Sequence, residues 1–293
     1  MSIGVIGVGM VGGTIVKDFE KKFKVNVYDK YKKMGSWEEV LNSDLIFVCV
    51  PTPTVDGMQD LLAIHEVLFN IAESAFKGPV ILKSTVLPGT CDILRSTYPY
   101  IKLLHSPEFL TERNAFEDFM KQPAVLVSCP AEYEYQVLSI ILGVFGTILP
   151  NTKVCFVADF QITEFCKYIH NCFLATKVAF MNQMYDYAQK RGIEWNHAIN
   201  FAVEQGVIGA SHTKVPGPDG LRGFGGSCFP KDTEAILNGS GNILSILHAA
   251  VTYNHAVRGI PGALTPEVLH NAFKLIADND MTDRPMAGWP KNK

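Results

Sequence analysis

The chain has 293 residues, 47% of them hydrophobic and 19% charged, with 26 lysines and arginines against 29 acids for a formal charge of −3. That apolar share buries a sizeable core and excludes a disordered or low-complexity polypeptide. Without a long basic run, a nucleic-acid-binding footprint is not expected.

Ile3–Gly7 reads as a buried strand, and Gly7-Val8-Gly9-Met10-Val11-Gly12 follows it directly and opens a segment of helical period. Three glycines at this spacing are a weak signal alone; the position between strand and helix gives it force. Gly7 permits the tight turn, Gly9 lets the backbone approach a pyrophosphate, and Gly12 allows close helix–strand packing. The helix N-terminus adds donors and positive potential. A second strand, Lys24–Tyr28, leads into Asp29, where a carboxylate can hold ribose hydroxyls and repel a 2′-phosphate. The expected cofactor is therefore NAD, with Lys30, Lys32 and Lys33 keeping NADP open.

Further strands are predicted at Asp44–Val50, Pro79–Lys83, Ile101–Leu104 and Ala124–Ser128, with Val154–Val157 closing the sheet. Only one short helix, Trp37–Leu41, fits between Asp29 and Asp44. Near-continuous apolar strands separated by helices predict a doubly wound parallel sheet covered on both faces. The longest apolar stretch, Val137–Leu149, is broken by Ser139, Gly143, Gly146 and Thr147. It is shorter than the about 20 residues a bilayer requires, so no membrane span is expected. Nor does the N-terminus read as a signal peptide.

The pattern then changes. A long helix is predicted over Gln161–Lys190, a second over Trp195–Gln205 and a third over Asn242–Arg258, with a loop at Gly209–Pro230 holding six glycines and three prolines. The expected organisation is α/β, a Rossmann-type domain over 1–157 and an all-α domain over 158–276, with a frayed tail at 277–293. Apolar residues on those helices (Phe173, Leu174, Val178, Phe180, Ile243, Leu244, Ile246, Leu247) predict a homodimer.

Seven cysteines form no C-x-x-C pair, which suits a reducing, cytoplasmic setting and gives no metal-ligand spacing. Cys228 stands apart. It lies in Gly223-Phe224-Gly225-Gly226-Ser227-Cys228-Phe229-Pro230-Lys231-Asp232, before a proline-led helix start, where backbone amides and Lys231 are expected to lower its thiol pKa. Lys167 and Asn171, four residues apart, share one helix face.

Five segments in order resemble the UDP-glucose 6-dehydrogenases and the wider UDP-glucose/GDP-mannose dehydrogenase family. They are the glycine loop; Val50-Pro51-Thr52-Pro53-Thr54; Lys83-Ser84-Thr85-Val86-Leu87-Pro88-Gly89-Thr90; Ser106-Pro107-Glu108-Phe109-Leu110-Thr111-Glu112; and the decapeptide around Cys228. The helix carrying Glu164, Lys167, Asn171 and Ala175 agrees as well. The resemblance implies oxidation of a nucleotide sugar, UDP-glucose first, at its C6 alcohol, with two NAD consumed. It makes Cys228 the nucleophile, Lys167 and Asn171 the oxyanion donors, Asp232 the group that holds or deprotonates the hydrolytic water, Glu108 the acid/base and Thr85 a support for that water. It also implies cofactor contacts from the Val50–Thr54 segment, Ser84, Thr85, Glu112 and Lys231. Substrate contacts fall to Glu108, Phe109, Leu110, Thr111, Lys167, Asn171, Gly223, Phe224 and Gly225, and Lys214 and Arg222 are candidates for the phosphates.

Three departures stand beside the likeness. Family members carry a third, nucleotide-clamping α/β domain that this chain is expected to lack, the Asp29–Asp44 crossover is short, and Arg113 replaces a glycine and is expected at the surface. Two other readings stay open. One is a two-electron β-hydroxyacid dehydrogenase of the 6-phosphogluconate or hydroxyisobutyrate type, which needs no thiol. The other is an idle NAD-binding remnant.

Overall fold

The computed structural model describes residues 1–133, 135–241 and 243–260. They pack as two compact units, 1–172 with 226–243, and 173–225 with the described residues from 244 onward. The expected boundary at 157/158 marks where the strand–helix alternation stops, but it is not where packing divides. The segment carrying Cys228 returns to the first unit, and the expected tail at 277–293 lies outside the described residues.

In the first unit the elements run β1 (Ser2–Ile6), α1 (Met10–Phe19), β2 (Lys24–Asp29), β3 (Met34–Gly35), α2 (Trp37–Leu41), β4 (Leu45–Val48), then a small hairpin of β5 (Thr54–Val55) and β6 (Met58–Gln59). They continue as α3 (Leu62–Ala72), β7 (Pro79–Leu82), α4 (Thr90–Thr97), β8 (Lys102–His105), α5 (Ala115–Lys121), β9 (Ala124–Ser128), α6 (Tyr135–Ile148) and β10 (Lys153–Val157). The sheet has the order β10-β9-β8-β7-β4-β1-β2-β3. It is parallel apart from β3 against β2 and a single antiparallel pair, His105 with Ser128, between β8 and β9. β1 lies between β2 and β4, so the chain winds one way and then the other from β1. Ligands of doubly wound sheets bind at the carboxyl ends of the strands flanking such a switch point.

Both faces of the sheet are covered. On one, Ile15 and Phe19 of α1 and Val137, Ile141, Val144 and Phe145 of α6 enter the core. There the Phe19 ring meets Phe47 edge-on at 5.5 Å between centroids. On the other, Ile64, Val67, Leu68 and Ile71 recur at helical spacing along α3 and pack with Leu94 and Leu103. Among the described residues no helix is long and apolar enough to cross a membrane.

Helix α7 (Phe160–Arg191) is 32 residues long and contributes to both units. Its Glu164 is fully buried and caps another helix: Glu164 Oε2 and Oε1 accept the backbone N–H groups of Gly89 and Cys91, both at 2.7 Å. Gly89, the N-cap of α4, has no side chain to fill that role. Burial raises the Glu164 pKa, and the two N–H donors work against that rise. Glu164→Ala leaves both donors buried and unpaired and is expected to destabilise by about 3 kcal/mol, with Glu164→Gln less damaging; urea unfolding followed by circular dichroism checks it.

The second unit holds the later part of α7, α8 (Trp195–Glu204) and α10 (Ser245–Arg258); Asn242, the start expected for the last helix, lies outside the described residues. Met181, Ala188, Trp195 and Val215 form one small core, and Ala179, Ala250 and Tyr253 another. Of the apolar residues expected to face a partner, Phe173, Phe180, Ile243 and Ile246 are exposed. Leu247 is buried, and Leu174, Val178 and Leu244 are half-buried, so these four offer less apolar surface than the sequence suggests.

Candidate functional site

A cleft of about 620 Å³ opens at the switch point, within the size range of small-molecule sites. Gly7, Gly9, Met10 and Val11 follow β1, Asp29 ends β2, Cys49–Thr52 follow β4, and Lys83–Thr85 follow β7; all line it, with Glu108, Cys228 and Lys231 at the same cavity. α1 begins at the glycine loop with no side-chain cap and no acid in its first turn, so nothing of its own opposes an incoming anion. Gly7 has φ +83°, and a Cβ there would stand 2.7 Å from the Cys49 carbonyl oxygen. Nothing lies within 4 Å of a Cβ built on Gly9, which leaves its backbone open to a ligand. These features fit a dinucleotide.

Asp29 is held in place by backbone donors. Val8 N–H donates to Oδ2 at 2.8 Å, and Tyr31 and Lys32 N–H donate to Oδ1 at 3.0 and 2.8 Å. Burial alone would raise its pKa, but these donors outweigh it, and the carboxylate is held below its ordinary value. Lys32 is turned to the Val8 carbonyl at 2.5 Å.

Not every expected cofactor residue reaches the cleft. Val8 gives its N–H to Asp29, Gly12 packs α1 against the loop, and Thr54 donates its hydroxyl to the Lys231 carbonyl at 2.9 Å. Pro53 lies outside the cleft lining. Glu112 is exposed, with the Ser227 hydroxyl at 3.5 Å, and Arg113 is exposed as expected. Ser84 and Thr85 are buried at the cleft wall: Ser84 donates to the Val50 carbonyl at 2.6 Å, and the Thr85 carbonyl accepts from Thr52 at 2.7 Å.

The chemical residues converge in the first unit. Cys228 is the N-cap of α9 (Phe229–Gly239). Lys167 and Asn171, which on a surface helix would be solvated, are 2% and 3% exposed, and each meets a carboxylate. Lys167 Nζ donates to Glu108 Oε1 at 3.0 Å, while the Leu110 N–H fixes Oε2 at 2.6 Å. Asn171 Nδ2 donates to Asp232 Oδ2 at 2.6 Å, and Lys231 pairs with the other oxygen of Asp232. Asp232 sits in the first turn of α9, where the helix dipole favours a negative charge. Phe109 lies against Lys167 and His170, and Thr111 is tied to Asp118.

One electrostatic expectation is reversed. Burial pushes the Cys228 thiol up rather than down; the Ser227 hydroxyl and Lys167 favour the thiolate, but Glu108 and Asp232 oppose it. The half-buried sulfur (3.7 Å from Ser227 Oγ) faces more negative than positive neighbours. The loop amides that suggested activation do not overcome desolvation.

The other expected substrate residues belong to the second unit. Arg222 is not a free cation: it pairs with Asp186 at 2.7 Å and donates to the Tyr253 hydroxyl at 3.0 Å. Lys214 is exposed. Gly223 and Phe224 are buried and bonded to Asn182 and Asn254, and Gly225 lies against Arg258.

Sequence reasoning missed Gln59. Its amide donates to the Thr85 carbonyl at 2.9 Å and to the Tyr168 hydroxyl at 3.3 Å, and its carbonyl accepts the Leu87 N–H at 3.0 Å. It ties the hairpin, the Thr85 loop and α7 together, and no local pattern announces it.

Residues 17–142 match the NAD-binding domain, and residues 161–256 the central domain, of the UDP-glucose/GDP-mannose dehydrogenase family. The UDP-glucose 6-dehydrogenase of Rickettsia felis is 31% identical over 211 residues, 68% of this chain and 44% of its own length. That of Rickettsia conorii is 33% identical over 212 residues, 68% of this chain and 45% of its own. The chain thus spans about half the length of the curated relatives it matches. The structure of a UDP-glucose dehydrogenase from Pyrobaculum islandicum superposes with a TM-score of 0.74 at 25% identity, over 87% of this chain and 68% of that one. The chain belongs to the UDP-glucose/GDP-mannose dehydrogenase family.

Proposed function

We propose that the protein is an NAD-dependent dehydrogenase that oxidises the C6 alcohol of a nucleotide sugar, UDP-glucose first among candidates, through the aldehyde to the carboxylate. The observation that carries this reading is Cys228 in the same cleft as the glycine loop, with the buried pairs Lys167–Glu108 and Asn171–Asp232 beside it. NAD supplies a hydride acceptor for each of the two oxidations. The chain's own residues do the rest. The glycine loop and Asp29 hold the dinucleotide. The Cys228 thiolate adds to the aldehyde carbon, and Lys167 and Asn171 donate to the oxygen on which charge develops, a role worth about 3 kcal/mol per donor. After the second oxidation Glu108 takes a proton from water as it attacks the thioester; the C–S bond breaks and the thiol returns.

The likenesses named above support the substrate class, since those relatives are named for UDP-glucose. A homodimer is part of the proposal: Ile162, Phe165, Ile169 and Phe173 recur at steps of three and four along α7 and are all exposed. Light scattering at micromolar concentration is expected to give twice the chain mass.

The test of activity is NADH absorbance with UDP-glucose, GDP-mannose and UDP-N-acetyl sugars. Two NADH per sugar is the expected result. One NADH, unaffected by alkylation of Cys228, would point to the β-hydroxyacid type, and none with any sugar to an idle remnant.

A further inference from the structure

The lysines that follow Asp29 leave the choice of dinucleotide open, because a cation at the end of the second strand can seat a 2′-phosphate where a carboxylate seats a ribose 2′-hydroxyl. The structure shows where those cations go. Lys32 is turned back to the Val8 carbonyl at 2.5 Å, and its charge acts on Asp29. Lys30 is taken by Glu66 of α3, its Nζ donating to Oε1 at 2.6 Å. That hydrogen bond and the Glu66 charge push the Lys30 ammonium up, so it stays protonated and committed. Lys33 lies outside the cleft lining.

Asp29, Lys30, Lys32 and Glu66 all line the cleft. Two carboxylates thus face two ammoniums at this end, and neither lysine there is left over for a phosphate. Glu66 is placed for this by its helix. Ala63, Glu66, Val67 and Asn70 recur at steps of three and one along α3 and line the same cavity, so one face of that helix is turned to the cleft. A ribose hydroxyl brings no charge to this end. A 2′-phosphate brings between one and two negative charges. To be met by Lys30 it would have to draw the ammonium off Glu66, and that would leave an unpaired carboxylate in the same lining.

We propose that Glu66 is a specificity-determining residue of the dinucleotide site: by holding Lys30, and by adding a second carboxylate to that of Asp29, it excludes the 2′-phosphate of NADP. Asp29 alone would face three lysines in the next four positions; the ion pair from α3 removes one of them from contention. The proposal rests on the reading that Asp29 meets the adenosine ribose.

The experiment is calorimetric titration of NAD and NADP into the whole chain and its variants, with circular-dichroism melting as the folding control. Glu66→Gln is expected to tighten NADP about tenfold and to leave NAD within about twofold of the parent. Lys30→Gln is expected to bring no gain for NADP, and the double variant Glu66→Gln with Lys30→Gln to lose most of the gain, since the released ammonium is what meets the phosphate. An exposed ion pair adds little to stability, so all three should melt with the parent. Asp29→Asn locates the ribose and is expected to shift preference towards NADP as well. Parental NADP affinity in Glu66→Gln, an equal tightening of NAD, or a gain undiminished in the double variant would each overturn the proposal. If Asp29→Asn shifts the preference and Glu66→Gln does not, the role of Glu66 alone falls. If Asp29→Asn leaves both affinities at the parental value, the ribose is not seated at Asp29, and that reading falls together with the proposal.

Discussion

Cys228→Ser is expected to lower the four-electron oxidation by at least about a thousandfold while leaving dinucleotide binding unchanged. Burial pushes the Cys228 thiol up, but a thiol still ionises far more readily than a serine hydroxyl, which gives no nucleophile without a base aimed at it. Among the described residues the two nearby acids are already engaged, Glu108 by Lys167 and the Leu110 N–H and Asp232 by Asn171 and Lys231. The loss should appear in kcat far more than in KM, because the thiol makes its contribution after the sugar is bound. The measurement is NADH yield per sugar with the dissociation constant of NAD taken separately; a serine variant that still releases two NADH per sugar at the parental rate would end the covalent reading.

Much of the fold was legible because its signals are local. The strand–glycine–helix entry, the carboxylate closing β2 and the apolar run of each strand reflect backbone needs visible within ten residues. The Trp37–Leu41 helix and the edge position of β10 follow from chain length and pattern in the same way. What stayed hidden depends on distant partners. The hairpin β5–β6 is only two residues per strand, and it is held by Thr54 on the Lys231 carbonyl and by the Gly57 N–H on Glu234, both far along the chain. The division of the chain into packing units escaped for the same reason.

The site divides along the same line. Which residues meet was readable from ordered motifs: Lys167, Asn171, Glu108, Asp232 and Cys228 do converge. Their electrostatics were not readable, since a pKa is set by burial and by charges that the linear sequence does not place together. The amides and lysine near Cys228 suggested an acidic thiol, and desolvation with two carboxylates reversed the sign. Arg222 looked available until its pairing with Asp186 was seen.

The glycine loop offers the second large effect, and there three neighbouring positions should answer differently. Gly12→Ala would drive a Cβ into the Gly7 carbonyl oxygen, with the Gly7 carbonyl carbon at 3.0 Å and Cys49 Cβ at 3.3 Å also against it. Two of these are backbone atoms, so no side-chain rotation relieves the overlap and α1 has to move away from β1. The expected result is a loss of about 3 kcal/mol in stability together with at least a tenfold weaker hold on NAD, because the same shift withdraws the N–H groups of the helix start from the cleft. Gly13→Ala is the control inside the same helix: its nearest neighbour is the Val8 carbonyl oxygen at 3.9 Å, and it should stabilise by about 1 kcal/mol through helix propensity. Gly9→Ala has free space around it and should leave stability unchanged while weakening NAD, since the added methyl enters the space a pyrophosphate needs. Urea unfolding and calorimetric NAD titration of the three variants separate packing from ligand approach. A Gly12→Ala protein as stable as the parent, or a Gly9→Ala protein that binds NAD equally well, would contradict the roles assigned to this loop.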